Sequence, residues 1–296
     1  MSKRTLFFSN AYHLSTANEQ LVIFNKELGE TKTTPIEDIG YAVFEHPQIS
    51  FTQSVMQLMA ANNTAVIFCH DKFYPCSMLL HLDTNYVQTE RFKEQINATE
   101  PLKKQLWQKT IKAKLTNQAG VLINRKLNGM PLLYKAKKVL SGDSTNEEAA
   151  GARYYWKTLY GNKFKRDRYG HAPNSALNYG YAILRAATAR ALSGSGLLPT
   201  LGIHHRNKYN SFCLADDIME PYRPYVDNLV CNMMDEGFNC NELGKAEKAE
   251  LLSSLTLDVK TKNGITPLML ALTSTSASLV KSFQKKIKTI FYPVFN

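Results

Sequence analysis

The sequence LKKQLWQKTIKAKLTNQAGVL, residues 102–122, has the apolar spacing of an amphipathic helix. Its apolar residues recur one, three or four positions apart, a spacing that places them on one helical face. They are Leu102, Leu106, Trp107, Ile111, Leu115, Ala119 and Leu122. The stretch therefore predicts a long helix, and from about residue 85 onward the apolar period is helical throughout.

Two further helices are predicted downstream of this stretch. Residues 174–192 have apolar side chains near one face and a glycine just beyond the end. Residues 212–235 have a helical pattern that is disturbed by Pro221 and Pro224. Because proline inside a helix costs about 3 kcal/mol relative to alanine, the interruption indicates either a boundary or a functional reason.

The first eighty residues have the pattern of a β-rich domain. Short apolar and β-branched stretches (RTLFFSN, HLSTANEQLVIFN and IGYAVFEH) are separated by Asn, Gly, Thr and Pro. We expect one short helix from Phe51 to Ala61, with Thr52 as its N-cap, and a buried strand from Thr64 to Cys69. The predicted fold class is α+β. Its parts are a small β-rich N-terminal domain (1–80), a linker (81–100) and a larger all-α catalytic domain (101–296).

Length and composition exclude several classes of protein. A chain of 296 residues with 44% hydrophobic residues can bury a large core, so neither a structural metal nor disulfides are needed. The five cysteines include no CxxC pair, which favours reduced thiols. We find no signal peptide and no apolar run near the ~18 residues of a membrane span. A cytoplasmic protein is expected.

The charge is strongly basic and unevenly distributed. The formal net charge is +11. Residues 1–80 contain five Lys/Arg against seven Asp/Glu, so the remainder contains thirty-one against eighteen, a net charge of +13. A basic excess confined to the helical part favours nucleic acid or another polyanion as its partner.

The first two of the three clusters of potential metal ligands each offer one pair of adjacent residues. Glu147 and Glu148 follow a Ser/Thr/Asn cluster, where acidic residues also occur simply because the helix dipole favours them. His204 and His205 are adjacent, so they point in different directions on any regular element, and at most one would serve a given site. Ordinary structural roles remain open for both pairs.

The third cluster, LADDIMEPYRP, contains Asp217 and Glu220 three residues apart and Asp216 and Glu220 four apart, so either pair shares a helical face. Like charges at this spacing repel, which calls for a cation such as Arg223, a lysine or a divalent metal. A solvated acidic face is the alternative. Together, Glu148, His205, Asp217 and Glu220 form a His-plus-carboxylate set that suits Mg²⁺ or Mn²⁺, or Zn²⁺, and metal-assisted phosphodiester chemistry.

At these three clusters the sequence resembles the CRISPR-associated adaptation integrases, the Cas one family, most closely the versions from type II systems. Four segments occur in the family's order and approximate spacing, and the resemblance extends over essentially the whole chain. They are Glu148 to Trp156 with Arg153, Asn174 to Leu184 with Ser195 to Pro199, Gly202 to His205, and Asp217 to Pro224. Pro35 to Glu45 is similar to the family's N-terminal domain. Two departures, Glu220 for Asp and Ala149 for Gly, remove no ligand.

The resemblance implies a metal-dependent DNA endonuclease and integrase. Glu148, His205 and Glu220 would bind Mg²⁺ or Mn²⁺, and Asp217 would lie beside them as an additional acidic group. The reaction would be attack of a DNA 3′-hydroxyl on a phosphodiester at a repeat border. Hydrolysis would use water at the same site.

The resemblance also implies several partners in a prokaryotic cytoplasm. The N-terminal domain would form a homodimer, and two dimers would flank a dimer of a small ferredoxin-like protein, Cas two, to hold double-stranded DNA. The RNA-guided effector and an extra adaptation protein are further candidate partners.

Phosphate contacts would provide a grip on DNA that is indifferent to sequence. The best candidates are in the loop GNKFKRDRYGH, where Phe164 and Tyr169 are interleaved with cations and could stack on bases. They are Lys163, Lys165, Arg166 and Arg168, with Arg223 near the acidic cluster. A second group is Lys103, Lys104, Lys135, Lys137 and Lys138, although solvated helix faces would explain these as well.

Two other functions remain open at this stage. A stand-alone metal-dependent DNA nuclease would use the same site residues without a small partner. A non-catalytic basic DNA-binding scaffold would need no intact acidic site, so the complete set of Glu148, His205 and Glu220 argues against it.

Overall fold

The structure is a computed structural model that describes residues 4–71, 73–79, 85–167 and 170–295. Its contacts divide the chain into two compact units, Met1–Thr84 and Asn85–Asn296. The first unit is rich in strands and the second in helices, in agreement with the predicted α+β class.

The first unit contains two four-stranded sheets and one helix in its described residues. One sheet has the order β1-β5-β7-β8 and the other β4-β3-β2-β6. The elements are β1 (Arg4–Phe8), β2 (Tyr12–Ala17), β3 (Gln20–Asn25), β4 (Thr31–Pro35), β5 (Ile39–Phe44), β6 (Ser50–Phe51), α1 (Gln53–Ala61), β7 (Ala65–Cys69) and β8 (Pro75–Leu79). In the first sheet β5 pairs in parallel with both β1 and β7, whereas β8 is antiparallel to β7.

The core of this unit explains why IGYAVF is a continuous apolar run. All six residues of β5 are buried, as expected of a central strand in a parallel arrangement. The short helix begins two residues later than predicted, because Phe51 pairs with Leu14 as part of β6. Thr52 occupies the N-cap position of α1 without a side-chain capping hydrogen bond.

The described part of the second unit contains nine helices and one hairpin. They are α2 (Gln88–Ile96), α3 (Glu100–Asn124), α4 (Met130–Lys138), α5 (Glu147–Tyr160), α6 (Asn174–Gly194), α7 (Cys213–Met219), α8 (Arg223–Asp235), α9 (Lys245–Ser253), β9 (Asp258–Thr261), β10 (Gly264–Pro267) and α10 (Leu268–Phe283). Helix α6 is buried on most of its faces and contacts α7, α8, α9 and α10. Helix α3 buries its apolar face against α4, α5 and α8.

The predicted interruption of the helix over residues 212–235 is present. A 3₁₀ turn, Glu220–Tyr222, separates α7 from α8, with Pro221 in the turn and Pro224 in the first turn of α8. Proline lacks an N–H group, so it is tolerated at these helix starts but not in a helix interior. The break therefore places Glu220 at the junction of two helices.

Two sequence predictions about this unit were wrong in part. Much of the predicted linker is instead helix α2. This helix is secured by the buried side chain of Gln95, which hydrogen-bonds to backbone groups of Leu198 and Leu201. Residues 81–84 of that linker lie outside the described residues. The unit is also not all-α, since β9 and β10 form an antiparallel hairpin. None of the described helices is both long and apolar enough to cross a membrane.

Candidate active site

Glu148 is positioned by the start of α5. The side chain of Asn146, which has a left-handed φ of 55°, accepts a hydrogen bond from the backbone three residues on. The carboxylate of Asp143 accepts the backbone N–H groups of Glu147 and Glu148, at 2.9 and 3.0 Å. These acceptors satisfy donors that a helix start leaves unpaired. The two adjacent glutamates then diverge, Glu147 to Lys135 of α4 and Glu148 to α3.

His205 is held by Asp217. Its Nδ1 lies 2.5 Å from Oδ1 of Asp217, and the backbone N–H groups of His204 and His205 donate to the same carboxylate. The hydrogen bond to Asp217 raises the pKa of His205. Gly202 permits this arrangement, because a Cβ atom there would lie 2.4 Å from the carbonyl oxygen of His205.

His204 faces a different environment from its neighbour, as the sequence predicts for adjacent residues. Its ring stacks on Trp107, with 4.1 Å between ring centres and 1° between ring planes. The planes of the two histidine rings are 86° apart. Burial lowers the pKa of His204. The stack gives His204 a packing role, whereas His205 is bound to the acidic cluster.

Glu220 is almost completely buried and carries two ion pairs. Its Oε1 is 3.0 Å from Arg223, and its Oε2 is 2.6 Å from Nζ of Lys114. Burial opposes the charged form, but Arg223 and Lys114 outweigh it, so the pKa of Glu220 is lowered. Asp216, the alternative partner in sequence, is bound instead to Arg185 at 2.6 Å. Of the two acidic pairs that the sequence offered, Asp217 and Glu220 are therefore the pair that lies at the site.

Lys114 joins two of the predicted metal ligands. Its Nζ is 2.6 Å from Oε1 of Glu148 and 2.6 Å from Oε2 of Glu220. The ammonium is therefore the shared ion-pair partner of both carboxylates in this structure. Within the described ranges, no three His, Cys, Asp or Glu side chains are placed closely enough to bind a metal together.

The chemistry of these residues nevertheless fits a divalent ion. Oε2 of Glu220 is buried and has no hydrogen bond of acceptable geometry, although it is paired by charge with Lys114. Asp217 occupies Nδ1 of His205 and thereby leaves Nε2 for a ligand, the arrangement that carboxylates impose on metal-binding histidines. Carboxylate oxygens with one imidazole suit Mn²⁺ and Mg²⁺.

A side chain that the sequence analysis missed supports the turn carrying Glu220. Asn117 of α3 donates to the carbonyl oxygens of Pro221 and Pro293, and its own oxygen accepts the N–H of Phe295. Asn117 is 1% exposed, and its bonds to Pro221 and Pro293 are buried. The turn is thereby tied to both α3 and residues near the C-terminus.

A second missed group is a buried acid, Asp227, behind Arg223. The hydroxyls of Tyr155 and Tyr181 both donate to its carboxylate, and burial raises the pKa of Asp227 to about 7. The guanidinium of Arg223 lies 4.8 Å from the ring centre of Tyr181, and that of Arg166 lies 5.2 Å from it. Both cations therefore contact one aromatic ring.

The residues predicted to bind DNA fall into different environments. Arg166 donates to the side chains of Asn174 and Asn178 at 2.9 and 2.7 Å, so its guanidinium is engaged within the protein. Lys163 and Lys165 are exposed. Arg168 and Tyr169 lie outside the described residues. Phe164 packs on Trp156 and Tyr160, which accounts for the apolar residue in this loop without a nucleic-acid base.

A cavity of about 470 Å³ opens beside His205. Lys103, Arg206 and Lys208 are among the side chains that line it. Glu100 pairs with Arg206 and, at 3.4 Å, with Lys103. The side chains that line the cavity are basic in net charge, and they include His205, a predicted metal ligand.

The other lysines of the second group lie in different local environments. Lys135 pairs with Glu147, and Nζ of Lys138 is 4.3 Å from the ring centre of Tyr134. Lys104 packs against the 3₁₀ turn before α5, and Lys137 lines an open groove on α3 and α4. Lys135 and Lys138 therefore each have a side-chain partner within the protein.

Lys114 had one signal in the sequence. It falls between Ile111 and Leu115, on the face of α3 that the periodicity predicts to be buried. A lysine on a buried face requires a compensating charge. The pattern could have identified an ion pair there, although not its partners.

The sequence is similar to known proteins of one family. The sequence model of the family described as CRISPR associated protein Cas1 matches residues 6–254. The CRISPR-associated endonuclease Cas1 of Neisseria meningitidis serogroup C (strain 8013) is 38% identical over 257 residues, which cover 86% of this chain and 84% of the relative.

Two solved structures share the fold. A casposase bound to integration product superposes with a TM-score of 0.81 at 18% identity, over 98% of this chain and 92% of that one. A Cas6-RT-Cas1–Cas2 complex superposes with a TM-score of 0.77 at 18% identity, over 100% of this chain and 36% of that one. Because the family model matches most of the sequence, this chain belongs to the Cas1 family of CRISPR-associated proteins.

Proposed function

We propose that this protein is a metal-dependent DNA integrase and endonuclease of CRISPR spacer acquisition. It joins DNA 3′-hydroxyl ends to phosphodiesters at the repeat borders by transesterification. The observation that carries the proposal is the constellation of Glu148, Glu220 and the Asp217-bound His205 beside a cavity lined with Lys and Arg.

Glu148, His205 and Glu220 are the residues that would hold Mg²⁺ or Mn²⁺. When bound, such an ion supplies charge neutralisation at the attacked phosphate and a lower pKa for the attacking hydroxyl. The buried Oε2 of Glu220, whose partner is a cation, and the engagement of His205 through Nδ1, which leaves Nε2 for a ligand, support this assignment.

The remaining residues orient the proposed ligands, balance their charge and bind the phosphates of the DNA. Asp217 fixes the ring of His205 through Nδ1, and Arg223 keeps Glu220 ionised within the protein. Lys103, Arg206 and Lys208 would bind the phosphates of the strand that enters the cavity. Because transesterification exchanges one phosphodiester for another, such positioning and charge neutralisation are the main requirements of catalysis.

The partners we propose are double-stranded DNA, a second copy of this chain and a small ferredoxin-like Cas2 dimer. The support is the family together with the fold shared with the Cas6-RT-Cas1–Cas2 complex, whose name includes Cas2. The RNA-guided effector and an extra adaptation protein would select the incoming DNA.

The test is half-site integration of a labelled duplex into supercoiled DNA that carries a repeat. Duplexes with 3′-hydroxyl ends and with 3′-deoxy ends are compared in Mn²⁺. Joined product from the hydroxyl duplex alone is expected, since the hydroxyl is the nucleophile. Cutting of the target without joined product from either duplex would favour a stand-alone nuclease.

Single variants test the ligand assignment in the same assay. Replacing Glu148, His205 or Glu220 with alanine should lower joining by about 100-fold or more, while DNA binding persists through the basic surface. His204→Ala is the matched control, because that ring stacks on Trp107. A His204→Ala variant as impaired as His205→Ala, or a fully active Glu220→Ala, would contradict the assignment.

A further inference from the structure

Lys114 is a buried cation at the centre of the candidate metal site. Only 8% of the residue is exposed, and its ammonium contacts Glu148 of α5 and Glu220 of the 3₁₀ turn at 2.6 Å each. The ammonium is thus placed as the shared partner of both carboxylates.

The two carboxylates depend on this charge when no metal is bound. Both contacting oxygens lie on one nitrogen, so they are separated by at most twice 2.6 Å. Two carboxylates this close repel each other strongly where water is excluded, and Glu220 is only 4% exposed. Without Lys114, Arg223 would offset only the Oε1 side of Glu220.

The ammonium and a divalent ion would use the same oxygen. Arg223 already engages Oε1 of Glu220, so Oε2 is the oxygen that remains for a metal, and Lys114 lies on it. That contact is an ion pair of 2.6 Å. A divalent ion would offer Oε2 a larger charge than the ammonium does, so it can replace the ammonium there.

We propose that Lys114 is a built-in counterion of the metal site, which neutralises Glu148 and Glu220 until a divalent ion takes the shared oxygen of Glu220. This inference rests on the proposed function, in which these two residues bind the metal. Lys114 thus keeps α3, α5 and the 3₁₀ turn together in the metal-free protein, and it raises the divalent ion concentration that the site requires.

The experiment compares Lys114→Met with Lys109→Met, a control that removes an exposed lysine from the same helix. Mn²⁺ affinity is measured by electron paramagnetic resonance of free Mn²⁺, and Tm is measured with and without Mn²⁺. Lys114→Met should bind Mn²⁺ about tenfold more tightly than wild type, because the competing cation is gone. Its Tm should be lower without Mn²⁺ and should recover in saturating Mn²⁺. Lys109→Met should match wild type in both measurements.

The charge itself is tested by Lys114→Arg, which should retain a Tm near wild type without metal and the weaker Mn²⁺ binding. If Lys114→Arg also binds about tenfold more tightly, or if Lys114→Met binds Mn²⁺ no better than wild type, the counterion role is wrong and the proposed function stands. A Lys114→Met protein that stays unfolded in saturating Mn²⁺ also overturns it, because the ion should replace the ammonium. Absence of Mn²⁺ binding to wild type and variants alike would overturn both proposals.

Discussion

Nδ1 of His205 lies 2.5 Å from Oδ1 of Asp217, a carboxylate with no solvent exposure. The same carboxylate accepts the backbone N–H groups of His204 and His205, so it fixes the loop as well as the ring. A carboxylate in this position sets the tautomer and the orientation of a ligand histidine. In the proposed site, Asp217 would accordingly position His205 rather than act as a fourth metal ligand.

Asp217→Asn should lower strand joining by about 10–100-fold, because an amide cannot offer two acceptor oxygens to the loop and the ring. Mn²⁺ affinity should fall together with activity, which a general loss of stability would not produce in folded protein. The measurements are Mn²⁺ binding and half-site integration. Asp216→Asn is the control, since Asp216 pairs with Arg185. Equal effects of the two substitutions would contradict the role of Asp217.

Asp143→Ala should destabilise the protein by about 1–2 kcal/mol, because the N–H groups of Glu147 and Glu148 lose their acceptor. Joining should decline as well, since Glu148 is the second residue of α5. Urea unfolding and the integration assay measure the two effects. Ser144→Ala, in an exposed neighbour, should change neither. If Asp143→Ala matched wild type in both urea unfolding and integration, Asn146 alone would be sufficient to start the helix.

Lys163→Gln combined with Lys165→Gln should flatten the salt dependence of DNA binding. Removal of one lysine–phosphate pair reduces the slope of log K against log salt concentration by about 0.9. Fluorescence anisotropy of a labelled duplex over a salt series measures the slope. Arg166→Gln should act mainly on stability, lowering Tm with little change in the slope. The reason is that its guanidinium donates to Asn174 and Asn178 within the protein. An unchanged slope in the double variant would move the DNA-binding surface elsewhere on the helical unit.

Asp227 should make stability fall as pH rises from about 4 to about 7. Its pKa is raised from 3.8 to about 7, so the folded protein binds a proton that the unfolded chain releases over that range. The contribution approaches about 1.4 kcal/mol per pH unit for one proton. Urea unfolding of wild type and Asp227→Asn between pH 5 and 8 checks the sign. The variant should gain stability relative to wild type as pH rises, whereas parallel curves would contradict the shift.

The sequence predicted the parts of the fold that depend on local pattern. The period of residues 102–122 indicated α3, and Pro221 and Pro224 indicated the break that carries Glu220. The features that were missed depend on distant partners. Helix α2 is secured by Gln95, whose partners lie about a hundred residues away.

The site shows the same division between local and distant information. The motifs identified Glu148, His205 and Glu220, but a motif contains no information about which cation compensates a buried acid. The pairing of Lys114 with residues 34 and 106 positions away follows only from packing of α3 against α5 and the turn. The partners of Arg166 were missed for the same reason, because both asparagines belong to α6.

The three bonds of Asn117 have a consequence for synthesis of the chain on the ribosome. Pro293 and Phe295 are made more than seventy residues after Glu220, which at about 5–20 residues per second is a delay of several seconds. During that interval the nascent helices can collapse, but the amide of Asn117 has only one of its three native partners, the carbonyl of Pro221. The turn that carries Glu220 therefore acquires its full support only after Phe295 has been made, several seconds after Glu220 itself.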